Sequence, residues 1–389
     1  MRILIVGGGI GGVTAALCLA KDGHEVEVFE QDSEYAELGA GIQLSPNCTR
    51  VLHYLGLENA LRNSGFRPEG VEFRNWKSGK TIASSALGET VVAKFGFPYY
   101  HIHRGDLIHL LVREASRQGS IRLHTDSRVD GFAEACSSIQ VSVNGSTHEG
   151  DLLIGADGIH SIIRSNLWGD ETPSFTGNVA WRGLVRAAEL PPGMVRPMAT
   201  VWLGPRRHFV HYYIKDRELV NCVCVVEKNG WEVESWTELG EQDELKADFN
   251  GWNDEVQTLI NLVDRNSLYK WALHDRDPMN NWGKGRVTLL GDACHPTLPF
   301  MAQGAAMSIE DGVVLAGCLR QTQDVPVALK NYEDLRRDRT AIIQKGSRMN
   351  ASLFHFSGLK ALARNFVLGR ASESVAERLF GYDVFQAAK

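Results

Sequence analysis

Short apolar runs divided by glycine-rich turns open the chain. Ile3-Leu4-Ile5-Val6 is an uninterrupted, β-branched run of the kind found in a strand buried on both faces. Gly7-Gly8-Gly9-Ile10-Gly11-Gly12 follows. Val13 to Lys21 then reads as a helix through Ala15, Ala16, Leu17, Leu19 and Ala20, and Gly23 ends it. Glu25-Val26-Glu27-Val28-Phe29 alternates as a second strand, closed by Glu30. The opening is therefore a complete βαβ unit. Pro46 to Ser64 predicts a helix with a connecting loop, and Val71 to Ser84 a hairpin turning at Lys77-Ser78-Gly79-Lys80. Leu107 to Arg117 returns to helix and Leu152-Leu153-Ile154 is a short buried strand. From Asn178 to Val226 the texture is strand-rich and aromatic. Arg286 to Leu290 predicts a strand, Gln303 to Gln321 a helix, and Pro326 to Phe356 a charged helix. The α/β and β-rich textures interleave, which implies two domains woven from discontinuous segments.

Composition narrows the class. The 389 residues are 43% hydrophobic and 23% charged, enough to bury a sizeable core. The net charge of −6 lacks the basic excess of a nucleic-acid binder. No apolar run reaches the roughly 18–20 residues that span a bilayer. The N-terminal apolar run turns to glycine too early for a secretory signal. The expectation is a soluble, cytoplasmic protein. Cysteines stand at 18, 48, 136, 222, 224, 294 and 318, an odd set without a C-x-x-C. Cys222 and Cys224 share one face of the Val220 to Val226 run and read as small core residues. No metal-ligand set is expected.

Gly7, Gly9 and Gly12 fit G-x-G-x-x-G. The first glycine permits the tight turn, the second lets backbone approach a pyrophosphate, and the third lets helix pack on strand. Glu30 stands where an acid binds a ribose hydroxyl. Two further apolar strands run into an Asp beside a Gly: Gly155-Ala156-Asp157-Gly158 and Gly291-Asp292. Ligands of open parallel sheets sit at such carboxyl ends.

Taken together, these segments resemble the single-component FAD-dependent aromatic hydroxylases, the group A flavoprotein monooxygenases, in their salicylate and 3-hydroxybenzoate hydroxylase subgroup. The resemblance is carried by Gly7 to Gly12 with Glu30, by Gly155 to Gly158, by His103-Arg104-Gly105-Asp106-Leu107, and by Asp275-Arg276-Asp277-Pro278 through Gly291-Asp292 to Pro299. It implies an α/β fold in which a Rossmann-like FAD-binding domain (1–70, 100–177 and 275–325) interleaves with a β-rich substrate domain (71–99 and 178–274), followed by C-terminal helices (326–389). It implies FAD with NADH or NADPH as reductant, and hydroxylation of a small phenolic acid by O₂ through a flavin C4a-hydroperoxide. Gly7, Gly9, Gly12 and Glu30 then hold the ADP half of FAD. Asp157 and Gly158 serve both FAD and NAD(P)H, Asp292 contacts the ribityl chain, and Arg104 lies along the cofactor. Gln43, Pro299, Gly304 and Ala305 complete the flavin environment. The helix after them points its positive N-terminal end at the ring.

A phenol reacts better once deprotonated, which calls for a base. His208 and His211, three apart on one strand, face opposite ways. The resemblance selects His211 as the base, with Gln303 lining the same pocket and Tyr213, Arg74 and Phe300 around the substrate. Arg74 or Arg182 is available to pair a substrate carboxylate. The 6-hydroxynicotinate hydroxylases, which also resemble this chain, carry histidines where Gln43 and Phe300 stand. The 3-hydroxybenzoate enzymes are expected to carry a pocket carboxylate where Asn75 stands. Gly39-Ala40-Gly41-Ile42-Gln43-Leu44 again resembles the subgroup. A larger or N-heteroaromatic substrate such as 6-hydroxynicotinate or a quinolone, and a catalytically silent FAD-binding protein, remain the alternatives. A monomer or a homodimer is open, since Asn365 to Gln386 reads equally as a dimer contact or a packed tail.

Overall fold

The computed structural model describes residues 1–35, 41–135, 137–228, 230, 238–387 and 389, with backbone alone at 369–373. Gly39, Ala40 and Cys136 lie outside the described residues.

Two large sheets organise the chain. In the six-stranded sheet, Arg2–Val6 lies between Leu152–Gly155 and Glu25–Phe29, parallel to both. Val287–Leu289 and Ile121–His124 extend it in parallel, and the short Gly283–Lys284 closes one edge antiparallel. Ile3, Leu4 and Ile5 are wholly buried, as expected of a strand covered on both faces. Glu27, a polar position of its strand, is buried too. Arg2 Nε lies 2.9 Å from its carboxylate, His124 Nε2 3.1 Å and His148 Nδ1 3.3 Å.

The seven-stranded sheet runs Tyr269–Asp275, Ser174–Arg186, Leu219–Glu227, Arg207–Ile214, Met198–Gly204, Gly70–Asn75 and Thr81–Ala86. It is antiparallel except between Met198–Gly204 and Gly70–Asn75. The hairpin expected at Lys77 to Lys80 is present, and Asn75 Oδ1 holds its turn by accepting from Lys77 N and Ser78 N. One face of this sheet carries the row Trp202, Phe209, Cys224 and Trp181, packed under the helices Gln242–Asp248 and Asp254–Leu262. Sequence pattern had not revealed those helices. The first buries only Gln242 and Leu245, so its apolar period is too short to read. Leu298, Phe300 and Phe354 pack on the other face.

Helix Gly304–Gln321 is buried all round from Ala306 to Leu319. It can approach helix Ile10–Lys21 because Gly312 has no Cβ, which would stand 3.0 Å from Ala15 Cα. Burial of that helix also buries Glu310 and Asp311. Arg336, from helix Val325–Phe354, lies between them at 2.7 Å from each. Arg339 adds two contacts to Glu310, at 2.7 and 2.8 Å. The end of the chain packs on this cluster, with the Arg339 guanidinium 3.8 Å from the centre of the Tyr382 ring and Asp383 2.6 Å from Arg50. No described helix is long and apolar enough to cross a membrane.

Burial pushes Glu310 and Asp311 upward, but their cationic partners outweigh it and hold both below their ordinary values of 4.5 and 3.8. Groups depressed in the folded state lend stability that is complete above the unfolded pKa and lost as pH falls through the folded one. Arg336→Met leaves two carboxylates buried without their central cation. It should lower stability by roughly 3–5 kcal/mol at neutral pH, read as the urea midpoint. The gap from wild type should narrow as pH falls below about 4, where carboxylates protonate.

Candidate active site

Three glycines of the first loop are glycine for different reasons. Gly7 has φ +101°, and a Cβ there would lie 2.3 Å from Ala156 O. A Cβ on Gly12 would lie 2.0 Å from Gly7 O. Both are therefore required by the fold. Gly9 has ordinary extended geometry, φ −70° and ψ −177°, and a Cβ there would meet nothing within 4 Å. The open space faces the uncapped start of helix Ile10–Lys21, whose first N–H groups point outward. Gly8 N donates to Glu30 Oε2 at 2.7 Å, which fixes the acid at the rim of this space. Open space in front of a helix N-terminus suits an anionic group such as a dinucleotide pyrophosphate.

The other strand ends gather at the same edge of the six-stranded sheet. Asp157 is turned inward, where Ser161 Oγ donates to it at 2.6 Å and Ile162 N at 2.8 Å. Its carboxylate thus caps the start of helix Ile162–Trp168. Gly158, at φ +77°, makes the turn that allows this. Arg164 ties this loop to the next by donating to Ile159 O at 2.6 Å and Ala293 O at 2.9 Å. Asp292 stays exposed in the cleft. The protein around it still limits its hydration and pushes the carboxyl up, against the pull of His295 and Arg104. Arg104, at the start of helix Arg104–Ala115, lies within electrostatic reach of Asp292.

Pro299 opens the turn Pro299–Met301, and Ala302 adopts φ +51° before helix Gly304–Gln321 begins. The Gln303 side chain at the N-cap does not cap that helix, which leaves the N–H groups of Gly304 and Ala305 for a ligand. Gln303 is almost wholly buried. Its Nε2 donates to Ser45 Oγ at 2.9 Å and its Oε1 accepts from Asn47 Nδ2 at 3.1 Å. The same Asn47 nitrogen donates to Glu310 at 2.7 Å. The amide expected to line the pocket is therefore engaged beneath it. Gln43 Oε1 accepts from Tyr99 Oη at 2.6 Å.

The seven-stranded sheet corrects three expectations. His211 lies on its helix-covered face, stacked near Trp202, with Nε2 3.5 Å from Glu255. Burial, with Arg74 and Arg196, pushes His211 down to about 3. Arg74 shares that face and binds Glu255 at 2.6 Å. Tyr213 also shares it, donating to Val195 O. None of the three faces Leu298–Ala302. The reason is register: Phe209 and His211 have the same parity, and Phe209 pairs with Trp202 and Cys224 in the helix-side core. Asn75 shares the row of Leu203 and His208, but its Oδ1 is taken up by the hairpin turn.

The opposite parity presents His208, Val210 and Tyr212. His208 lies 5.2 Å from the Phe300 ring, centre to centre. Tyr212 Oη donates to Gly41 O at 2.8 Å, and Asn221 Oδ1 accepts from Gly41 N at 2.8 Å, fixing the Gly41–Leu44 strand over this face. Along the middle runs the row Val201, Val210, Val223 and Arg182. Val210, Val223 and Arg182 are half-buried, and the Arg182 guanidinium rests 4.7 Å from the centre of the Trp271 ring. Sequence reasoning missed Tyr212, Ser45, Asn47 and Arg164. One signal was present for the first: Trp181, Trp202 and Phe209 mark the heavier, core-facing parity, which leaves His208 and Tyr212 on the other.

Residues 1–345 match the family model of an FAD binding domain. A 3-amino-4-hydroxybenzoate 2-monooxygenase of Streptomyces platensis is 39% identical over 359 residues, 91% of this chain and 88% of its own. A 3-hydroxybenzoate 6-hydroxylase of Polaromonas naphthalenivorans (strain CJ2) is 36% identical over 390 residues, 99% of this chain and 96% of its own. Among solved structures, a variant of Klebsiella pneumoniae HpxO complexed with FAD has a TM-score of 0.86 at 27% identity, covering 100% of this chain and 99% of its own. With that span and those identities, the chain belongs to the FAD-binding-domain family, among its flavin-dependent monooxygenases.

Proposed function

We propose that the protein hydroxylates the ring of a small phenolic acid, using FAD, O₂ and either NADH or NADPH. The observation that carries this reading is the single sheet face that holds His208 against Phe300, Tyr212 under Gly41–Leu44 and, in the row between them, the half-buried Arg182. It offers a base and a cation around a half-buried apolar floor. That combination suits an aromatic ring bearing a hydroxyl and a carboxylate. Both relatives described above are named for substrates of this kind, an aminohydroxybenzoate and a hydroxybenzoate.

Gly7, Gly9, Gly12 and Glu30 would hold the ADP half of FAD. Arg104 and Asp292 would hold its middle, with Gly158 shaping and Asp157 bracing the adjoining loop. Gln43, Pro299, Gly304 and Ala305 would surround the ring system. Bound FAD supplies hydride acceptance and O₂ activation, which side chains cannot provide. The chain's own residues orient the substrate, exclude water and move its proton. Arg182 pairs the carboxylate, Val210, Val223 and Phe300 keep the floor dry, and neutral His208 accepts the phenolic proton. Tyr212 steadies the Gly41–Leu44 strand and Gln303 the loop below. Residues 1–70, 100–177 and 275–325 form the FAD-binding domain on this reading, and 71–99 with 178–274 the substrate domain. The six- and seven-stranded sheets divide nearly along these boundaries. The free, buried cysteines among the described residues suit the reducing cytoplasm.

The direct test is a panel of hydroxybenzoates, aminohydroxybenzoates and 6-hydroxynicotinate, following stimulated NAD(P)H oxidation and product mass. An addition of 16 mass units to a phenolic acid is expected, by the arithmetic of one inserted oxygen. Consumption without product from any phenol would defeat the substrate reading.

Gly9→Val probes the cofactor loop without straining it, because the backbone there suits any residue. The variant should fold and should lose about 1–3 kcal/mol of FAD affinity, roughly 5- to 150-fold, by crowding. Visible absorbance per protein after gel filtration measures it, and full yellow colour would remove Gly9 from the site.

His208→Ala should slow hydroxylation roughly 10²–10⁴-fold while leaving flavin reduction intact, so the enzyme consumes NAD(P)H and releases H₂O₂. His211→Ala should keep coupled turnover and lose stability instead. The reverse pattern would mean that the catalytic face is the helix-covered one.

A further inference from the structure

His208 continues into a chain of contacts. Its Nδ1 lies 2.9 Å from His355 Nε2, and His355 Nδ1 lies 2.9 Å from Glu227 Oε1. The two imidazoles are buried, whereas the Glu227 side chain is 37% exposed. The chain therefore leads from the Phe300 side of the sheet to solvent. Its members come from strand Arg207–Ile214, from the residue capping helix Val325–Phe354, and from the last position of strand Leu219–Glu227. Arg206 holds the outer end, with N donating to His355 O at 3.0 Å and Nε lying 3.1 Å from Glu227 Oε2.

An ionised carboxylate only accepts hydrogen bonds. Glu227 therefore requires the His355 proton on Nδ1. His355 Nε2 is then a bare acceptor, which requires the His208 proton on Nδ1 as well. His208 Nε2 is left with its lone pair free. The outer charge thus dictates which nitrogen is basic two residues away. We propose that Glu227 and His355 are positioning residues that fix the tautomer of His208 and carry a proton between the substrate and solvent. This rests on the reading of His208 as the base.

The proton count closes. The substrate O–H bond breaks and a bond to His208 Nε2 forms. The His208 Nδ1 proton passes to His355 Nε2 and the His355 Nδ1 proton to Glu227, whose protonated carboxyl then donates to the bare His355 Nδ1 and exchanges its proton with water. The substrate becomes phenolate, both rings end neutral, and no electrons are exchanged. When the product oxygen takes back a proton from His208 Nε2, the reverse passage restores both tautomers. Neutral rings suit the surroundings. Burial, with His355 beside it, holds His208 far below its ordinary range. Burial also lowers His355, aided by Arg207 and Arg364, against the opposite pull of Glu227. A relay that never leaves a cation on either ring avoids that cost.

Glu227→Gln keeps the side-chain shape and removes the charge. Two readouts on the holoenzyme decide. The first is the ¹⁵N spectrum of the histidine rings, assigned with His208→Asn and His355→Asn. Wild type should show His208 and His355 protonated on Nδ1, and Glu227→Gln should show His208 redistributed toward Nε2–H. The second is the pH profile of hydroxylation beside the rate of flavin reduction. Glu227→Gln should lose roughly 10- to 100-fold in hydroxylation at the acidic end, where phenol ionisation needs most help, with reduction unchanged. A wild-type His208 protonated on Nε2, or a Glu227→Gln variant with the wild-type tautomer and pH profile, overturns the proposal. If no phenol is hydroxylated by wild type, the functional reading fails, and the ring spectra still decide the relay.

Discussion

One buried cation holds the ligand edge together. Arg336 bridges Glu310 and Asp311 in the middle of a buried helix, and Arg339 brings the second positive charge. Each carboxylate then has capacity left for a neighbouring loop. Asp311 accepts from Gly291 N at 3.1 Å and lies 2.7 Å from His295 Nε2, which sets the loop carrying Asp292. Glu310 accepts from Asn47, and through it the Ser45, Asn47 and Gln303 group is positioned. Segments near residues 45, 291 and 303 are thus referred to a single ion cluster. Such an arrangement costs desolvation and is rarely a net gain over apolar packing. Here it supplies geometry at several places at once.

Local motifs were legible in the sequence because local physics produces them. The strand-glycine-helix opening, the hairpin at Lys77 to Lys80 and the strand ends at Asp157 and Asp292 each depend on residues close in the chain. What was not legible is which way things face. His208 and His211 differ only in parity, and parity says that they part without saying which side meets the flavin domain. That choice belongs to long-range packing, to helices 242–248 and 254–262 covering one face and Leu298, Phe300 and Phe354 the other. Arg74 and Tyr213 were misplaced with His211 for the same reason. Asp157 and Gln303 show a further limit. Both stand at the expected loops, yet their polar atoms serve the scaffold.

The glycine loop shows how structure separates requirements that a motif merges. Gly7 and Gly12 would collide with backbone if they carried a side chain, whereas Gly9 collides with nothing. The first two preserve the fold of the loop, and the third preserves room outside it.

The sheet order carries a consequence for biosynthesis. Strand Leu152–Gly155 is flanked by Arg2–Val6 and by Val287–Leu289, which enters the chain more than a hundred residues later. Between them the chain makes most of the seven-stranded sheet. A nascent polypeptide can therefore assemble the glycine loop early, while Asp292 and helix Gly304–Gln321 are still inside the ribosome or unmade. Closing so long an excursion is affordable because loop entropy grows only with the logarithm of length. The sheet edge at which these strand ends gather is then completed late, once the central β-rich insertion has been made and the chain has returned to its starting sheet.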